Sequence, residues 1–260
     1  MLLFSCCDIL DLTIKLLVFL YQTSEAFYFG DDFMKKKVFY TELSYALGLI
    51  IMAFAAAFTE KADFGMSMVV APAYILHLKM SQIFPWFTFG VAEYIFQGLL
   101  VLITVIVMRR FKKSYLFSFV TAVLYGTLLD IAMNIIAPLP DEAFIIRVVW
   151  YTVGTVFCSL AVSLFFHTYI SPEAYELIVK EIAAKFGFNI NKTKTAYDCF
   201  STLLGIVMSF AFFGFGVFEG VKLGTIICAF LNGFLIGRFS KLLEHFFEFK
   251  NKFDAEKYFS

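Results

Sequence analysis

Six stretches of this sequence run for about twenty residues each with almost no charge: 38–58, 87–108, 115–136, 145–168, 196–217 and 222–240. Runs of that length match the hydrocarbon thickness of a bilayer when wound as α-helix. Strands are excluded, because the runs are continuously apolar rather than alternating. Composition agrees. The chain of 260 residues is 61% hydrophobic, 20% aromatic and only 16% charged, and its mean hydropathy is +0.82. A soluble domain holds roughly 45–50% apolar and 25% charged residues, so lipid must cover the surplus. The expected fold class is an all-α membrane protein with six transmembrane helices.

Two further stretches fit no ordinary span. Residues 64–80 (FGMSMVVAPAYILHLKM) are apolar but short, with Pro72 inside. They read as a re-entrant or interfacial half-helix, since Pro and Gly interrupt helix at depth. Residues 172–186 (PEAYELIVKEIAAKF) mix charged and apolar residues at helical spacing. Ser171 and Pro172 suit a cap and a first turn, and the segment reads as an amphipathic helix lying in the interface.

Lysine and arginine placement sets the orientation. If the amino end is inside and 64–80 does not cross, sixteen of the chain's 21 Lys and Arg face inward, among them Lys35 to Lys37, Arg109, Arg110, Lys112 and Lys113. Only Lys61, Lys79, Arg147 and Lys222 face outward, with Lys15 left aside. Both termini are therefore expected in the cytoplasm, with 109–113 inside and 138–144 outside. The net charge of zero excludes a basic nucleic-acid binder.

The chain resembles itself. AYILHLK (73–79), AEYIFQGLLVLI (92–103) and LFSFVTAVLYGTLLD (116–130) are matched in order by AYELIVK (174–180), AYDCFSTLLGIV (196–207) and LGTIICAFLNGFLIG (223–237). Three spans per copy is an odd number, so the two copies must be inverted across the membrane. The organisation expected is an extension (1–33), repeat 1 (34–140), repeat 2 (141–245) and a cytoplasmic tail (246–260). Asp8, Asp11 and Lys15 break any seventh span. Gly30-Asp31 can be encoded with a ribosome-binding core upstream of Met34, so 1–33 read as either an over-extended reading frame or an interfacial amino-terminal helix.

An ionised side chain at the bilayer centre costs at least ~2.5–3.5 kcal/mol, so interior acids face protein or water. Glu93, with Gln97 one turn on, and Asp130, with Asn134 at i+4, both lie about 9 Å below the outer surface by helix rise. Arg147 opens the next helix at similar height and is the expected partner of Asp130. Asp130 then either contacts a solute or ties two helices together. Asp198 is the repeat counterpart of Glu93, beneath Lys194. These six residues (Glu93, Gln97, Asp130, Asn134, Arg147 and Asp198) are the candidate ligand-binding set. Ala53 and Ala57 carry small-xxx-small spacing, which permits close contact with a neighbouring helix or with a partner subunit. Cys6, Cys7, Cys158, Cys199 and Cys228 show no metal spacing. Nothing reads as a phosphate loop or a nucleophile–base motif, so neither an enzyme nor a cofactor is expected.

ADFGMS (62–67), FGVAEY (89–94), YLFSFVTAVLYGTLLD (115–130), AYD (196–198) and VKLGTIICAFLNGFLIG (221–237) together resemble the YczE/YyaS/YitT family of bacterial membrane proteins. The resemblance covers roughly 42–245. One departure is Met68, where related proteins often carry Pro. It implies a plasma-membrane protein and supplies no catalytic residue. The functional expectation is a small-solute or ion transporter. The alternative is a non-transporting regulator or a subunit of a larger membrane complex, including a substrate-capturing importer subunit.

Overall fold

The computed structural model describes residues 36–170 and 173–252. The reading of 1–33, the Ser171–Pro172 cap and the end of the tail lie outside those residues. In chain order the elements are β1 (Lys37–Tyr40), α1 (Thr41–Ala62), α2 (Ala71–Met80), α3 (Phe89–Met108), α4 (Lys113–Ile136), α5 (Phe144–Phe166), α6 (Ala174–Phe186), α7 (Ile190–Phe213), α8 (Leu223–Phe246) and β2 (Phe247–Lys250). Six of these helices are long and apolar enough to cross a membrane: α1, α3, α4, α5, α7 and α8.

The two strands pair in parallel, Lys37 opposite Phe247 through Tyr40 opposite Lys250. β1 feeds straight into α1 and β2 leaves α8, so the first and last spans begin and end at one end of the bundle. An even number of crossings follows. The pairing moves the start of the first span from Val38 to Thr41. α8 runs on to Phe246, past the expected 240, and α7 begins six residues before the expected 196 and stops at Phe213. It stops there because Gly214 and Gly216 take left-handed φ of 105° and 87°, which glycine alone adopts freely.

The short helices are the unusual parts. Lys185 near the end of α6 donates to the Val107 carbonyl at the end of α3 (2.5 Å), while the Ala174 amide at its start reaches Gln97 Oε1, halfway along α3 (3.3 Å). α6 therefore stands against α3, rising from the sheet end to mid-bundle. This corrects the expectation of a helix lying flat in the interface. The physical reason is that its charges face protein: Glu181 binds Arg110 (3.3 Å) and Lys112 (2.6 Å), and Glu176 binds Lys194 (2.8 Å). Burial would raise the Glu181 carboxyl, but the contacts with Lys112, Tyr115 and Arg110 hold it below the ordinary glutamate range.

α2 is placed the same way at the opposite end. Lys79 donates to the Phe212 carbonyl at the end of α7 (3.4 Å), and Ala71 and Ile75 approach Gly205 in the middle of α7. Pro72 sits in the first turn of α2, where a missing N–H costs nothing.

The packing of the two halves corresponds. α1 packs on α4 as α5 packs on α8; α2 packs on α3 as α6 packs on α7; α2 crosses to α7 as α6 crosses to α3; and α1 meets α5 along the centre. Two correspondences fail: α4 touches α6 with no comparable contact of α8 on α2 among the described residues, and the larger difference lies between the long helices. α3 and α4 pack closely, whereas among the described residues α7 and α8 make no comparable contact. Ala53 and Ala57 lie fully inside the main core with Leu129 and Ala132 of α4, so their small-residue spacing serves the chain's own interior.

Candidate functional site

Glu93 lies in the second turn of α3, facing α6. Its exposure is 0%. Oε2 accepts from Gln97 Nε2 (3.1 Å) and from the Tyr175 hydroxyl (2.9 Å). Oε1 has no partner among the described residues. Gln97 is also fully buried, and its own oxygen is occupied by the first amide of α6. Sequence spacing brought Glu93 and Gln97 together correctly, and the structure adds Tyr175 and the α6 amino terminus to them.

The residue just ahead of α6 is Glu173, only 9% exposed, again with an unpartnered Oε1. It lies in the connection between α5 and α6, outside the six long helices. Burial, then the negative charges of Glu93 and Glu176, push its carboxyl up to about 8. Sequence reasoning missed this residue. The available signal was its position: an acid immediately before a half-helix that the repeat carries to the middle of the bundle.

Glu173 also lines a pocket of about 140 Å³ with Met52, Phe165, Phe166, Glu176 and Lys180, toward the sheet end. A larger cleft of about 380 Å³ lies at the opposite end, lined by Glu60, Lys61, Asp63, Tyr74 and Asp141 among others. Among the described residues a polar recess thus lies toward each end of the bundle.

The remaining candidates fall elsewhere. Asp130 does not meet Arg147. Its Oδ2 accepts from the Thr88 hydroxyl (2.6 Å) and its Oδ1 from the Gly90 amide (2.8 Å). It therefore satisfies the free amino end of α3 from α4. Thr88 is the cap of that helix and accepts from the Val91 amide. Arg147 instead bonds the Ala62 carbonyl (2.8 Å) and Asp63 Oδ2 (3.0 Å), with Lys222 on the other Asp63 oxygen. Asp63 is placed to receive them because it ends α1 in a left-handed turn of φ 54°. Asn134 is exposed and donates only to the Asp130 backbone carbonyl (2.8 Å). Asp198 pairs with Lys194 (3.3 Å), as its spacing predicted, and Lys194 also holds Glu176. The six candidates thus split. Glu93 and Gln97 form the buried site, Asp198 borders it through Lys194, and Asp130, Asn134 and Arg147 belong to the far end's structure.

Six apolar helices, with two half-length helices packed among them, mark a multi-pass membrane protein with a few polar side chains buried inside it. The chain belongs to a family of unknown function, DUF6198, whose model matches residues 39–241. No curated protein and no solved structure matches it.

Proposed function

We propose that this protein is an inverted-repeat transporter for a small solute or ion. The observation that carries the reading is the placement of α2 and α6. They enter from opposite ends, and their amino termini stop beside the middles of α7 and α3. The recurrence of the packing pairs supports it, as does the sequence repeat. Half-helix amino termini at mid-depth bring positive dipole ends to the place where transporters hold their cargo. The tight α3–α4 pair beside the parted α7–α8 pair is what one half-cycle of alternating access requires. Inversion, cytoplasmic termini, a plasma-membrane location and kinship with the YczE/YyaS/YitT proteins belong to this same proposal.

The test is accessibility in proteoliposomes. In a background without native cysteines, Met68→Cys near the start of α2 and Ala174→Cys at the start of α6 are treated with an impermeant thiol reagent from each side in turn. Both positions should react from both sides. Reaction of each from one side only, at any exposure time, would rule out alternating access.

One observation favours the second reading, a subunit of a larger membrane complex. α7 and α8 are only 17% and 12% buried within the chain, against 33–50% for the other four spans. On that reading a partner covers them, and α7 and α8 would resist lipid-phase labelling in native membranes but not after purification.

A further inference from the structure

A carboxylate at mid-bundle ordinarily brings a cation with it. Glu93 and Glu173 do not follow that pattern. Each is at least nine-tenths buried, each has a bare Oε1, and they lie close enough for one to feel the other's charge. The cation whose field reaches Glu173, Lys194, is already held between Glu176 and Asp198. Two charges of like sign cannot both persist in so low a dielectric.

A metal ion fits this place poorly. Hard cations ask for several oxygen lone pairs. Around Glu93 the neutral groups present hydrogens instead: Gln97 Nε2 and the Tyr175 hydroxyl both donate to Oε2, and Gln97 Oε1 is taken by the Ala174 amide. What the bare oxygens accept is an O–H. We infer that Glu93 and Glu173 form one proton-binding site, loaded from the sheet-end pocket that Glu173 lines. This deepens the transport reading by assigning it a coupling ion, the proton. In the step itself a hydronium ion in the pocket gives a proton to the Glu173 carboxylate and leaves as water. The pair then carries one negative charge in place of two.

The groups that face the pair are Tyr125 of α4, Tyr175 and Glu176 of α6, Lys194 and Tyr197 of α7, Tyr45 of α1 and Cys158 of α5, with Asp198 of α7 behind Lys194. Lys180 lines the pocket. Phenols ordinarily titrate near 10, above the range that matters. Only a carboxyl gives the signal used below, which separates the pair from Cys158.

The experiment is infrared difference spectroscopy of the purified full-length protein in sodium-free nanodiscs, titrated from about pH 5 to 9. A protonated-carboxyl stretch should disappear as pH rises through about 8. It should be lost or displaced in Glu173→Gln and in Glu93→Gln, and kept in Glu176→Gln. Thermal stability should follow. Glu173 is raised in the folded state, so its contribution is complete below the ordinary glutamate value, about 4.3, and is lost as pH climbs through about 8. Glu173→Gln mimics the loaded state and should abolish that fall, which otherwise amounts to several degrees in Tm. The inference is overturned if the stretch is absent at the acid end, if it persists unchanged in Glu173→Gln, or if sodium or lithium displaces it at constant pH, which would make this a metal-cation site. The titration and the sodium arm need no variant, so they stand even if Glu93→Gln does not fold. The measurement needs no solute, so its failure leaves the accessibility test of transport untouched.

Discussion

α3 and α4 are fastened to each other at the far end of the bundle, while α7 and α8 make no comparable contact among the described residues. At the α3–α4 crossing two glycines let backbone meet backbone, and a Cβ on Gly90 would overlap the Gly126 carbonyl. Asp130 then bonds across to Thr88 and the Gly90 amide. The second half carries glycines too, Gly233 and Gly237 on α8, but neither has any atom within 4 Å of where a Cβ would stand. No carboxylate takes the place of Asp130, since its repeat counterpart is Gly237. The largest difference in packing between the two sets of helices is therefore this contact, and it has an identifiable cause.

The largest expected effect comes from making one substitution at both places. Gly90→Ala forces a methyl against a carbonyl oxygen and should destabilise the protein by about 3 kcal/mol, the upper range for overpacking. Gly233→Ala meets empty space and replaces a poor helix former, so it should be neutral or stabilising by up to about 1 kcal/mol. Thermal unfolding in detergent measures both. Equal effects would mean that α7 and α8 close on each other as α3 and α4 do.

Asp130→Ala comes next. It strips the Gly90 amide and the Thr88 hydroxyl of their acceptor at a helix start, which should cost about 2 kcal/mol. The same change at Asp198 should cost less than about 1 kcal/mol, because Asp198 and Lys194 are each about a quarter to a third exposed, at 26% and 31%. A loss at Asp198 as large as that at Asp130 would erase the distinction between the two halves.

Much of this arrangement was legible in the sequence, and the limits have physical causes. Six spans and two short helices between them follow from apolar length, because burial in lipid is a property of whole segments. The strands KVFY and FEFK were invisible, since four residues carry no period and the partners lie 210 residues apart. The segment 172–186 reads as an amphipathic interfacial helix because its charges repeat at helical spacing. Spacing cannot tell whether a charge finds water or, like Glu181, two cations on a neighbouring loop. Equal depth alone pairs Asp130 with Arg147, whereas its actual partners are a hydroxyl and a backbone amide, and an amide leaves no mark in a sequence. Glu93 and Gln97 were found because i,i+4 neighbours on a helix must meet.

The smallest effect decides how the far end is wired. Arg147 reaches Asp63 through an ion pair of 3.0 Å with 30% and 56% side-chain exposure, and exposed pairs of this kind couple by about 0.5 kcal/mol. Its stronger contact is with the Ala62 carbonyl (2.8 Å), which survives any change at Asp63. A double-mutant cycle of Asp63→Asn with Arg147→Gln should therefore show about 0.5 kcal/mol of coupling, partly masked because Lys222 also holds Asp63. The cycle of Asp130→Ala with Arg147→Gln should show none, since pairs without shared partners add to within about 0.3–0.5 kcal/mol. Adding Arg147→Gln should not rescue Asp130→Ala. Had the two been partners, removing Asp130 would have stranded a buried guanidinium, and neutralising it would have restored stability. Chemical or thermal unfolding of the two single mutants and the double mutant measures this directly. Rescue would place Arg147 at the α3–α4 crossing, and would make that crossing an ion-pair gate in place of a helix cap.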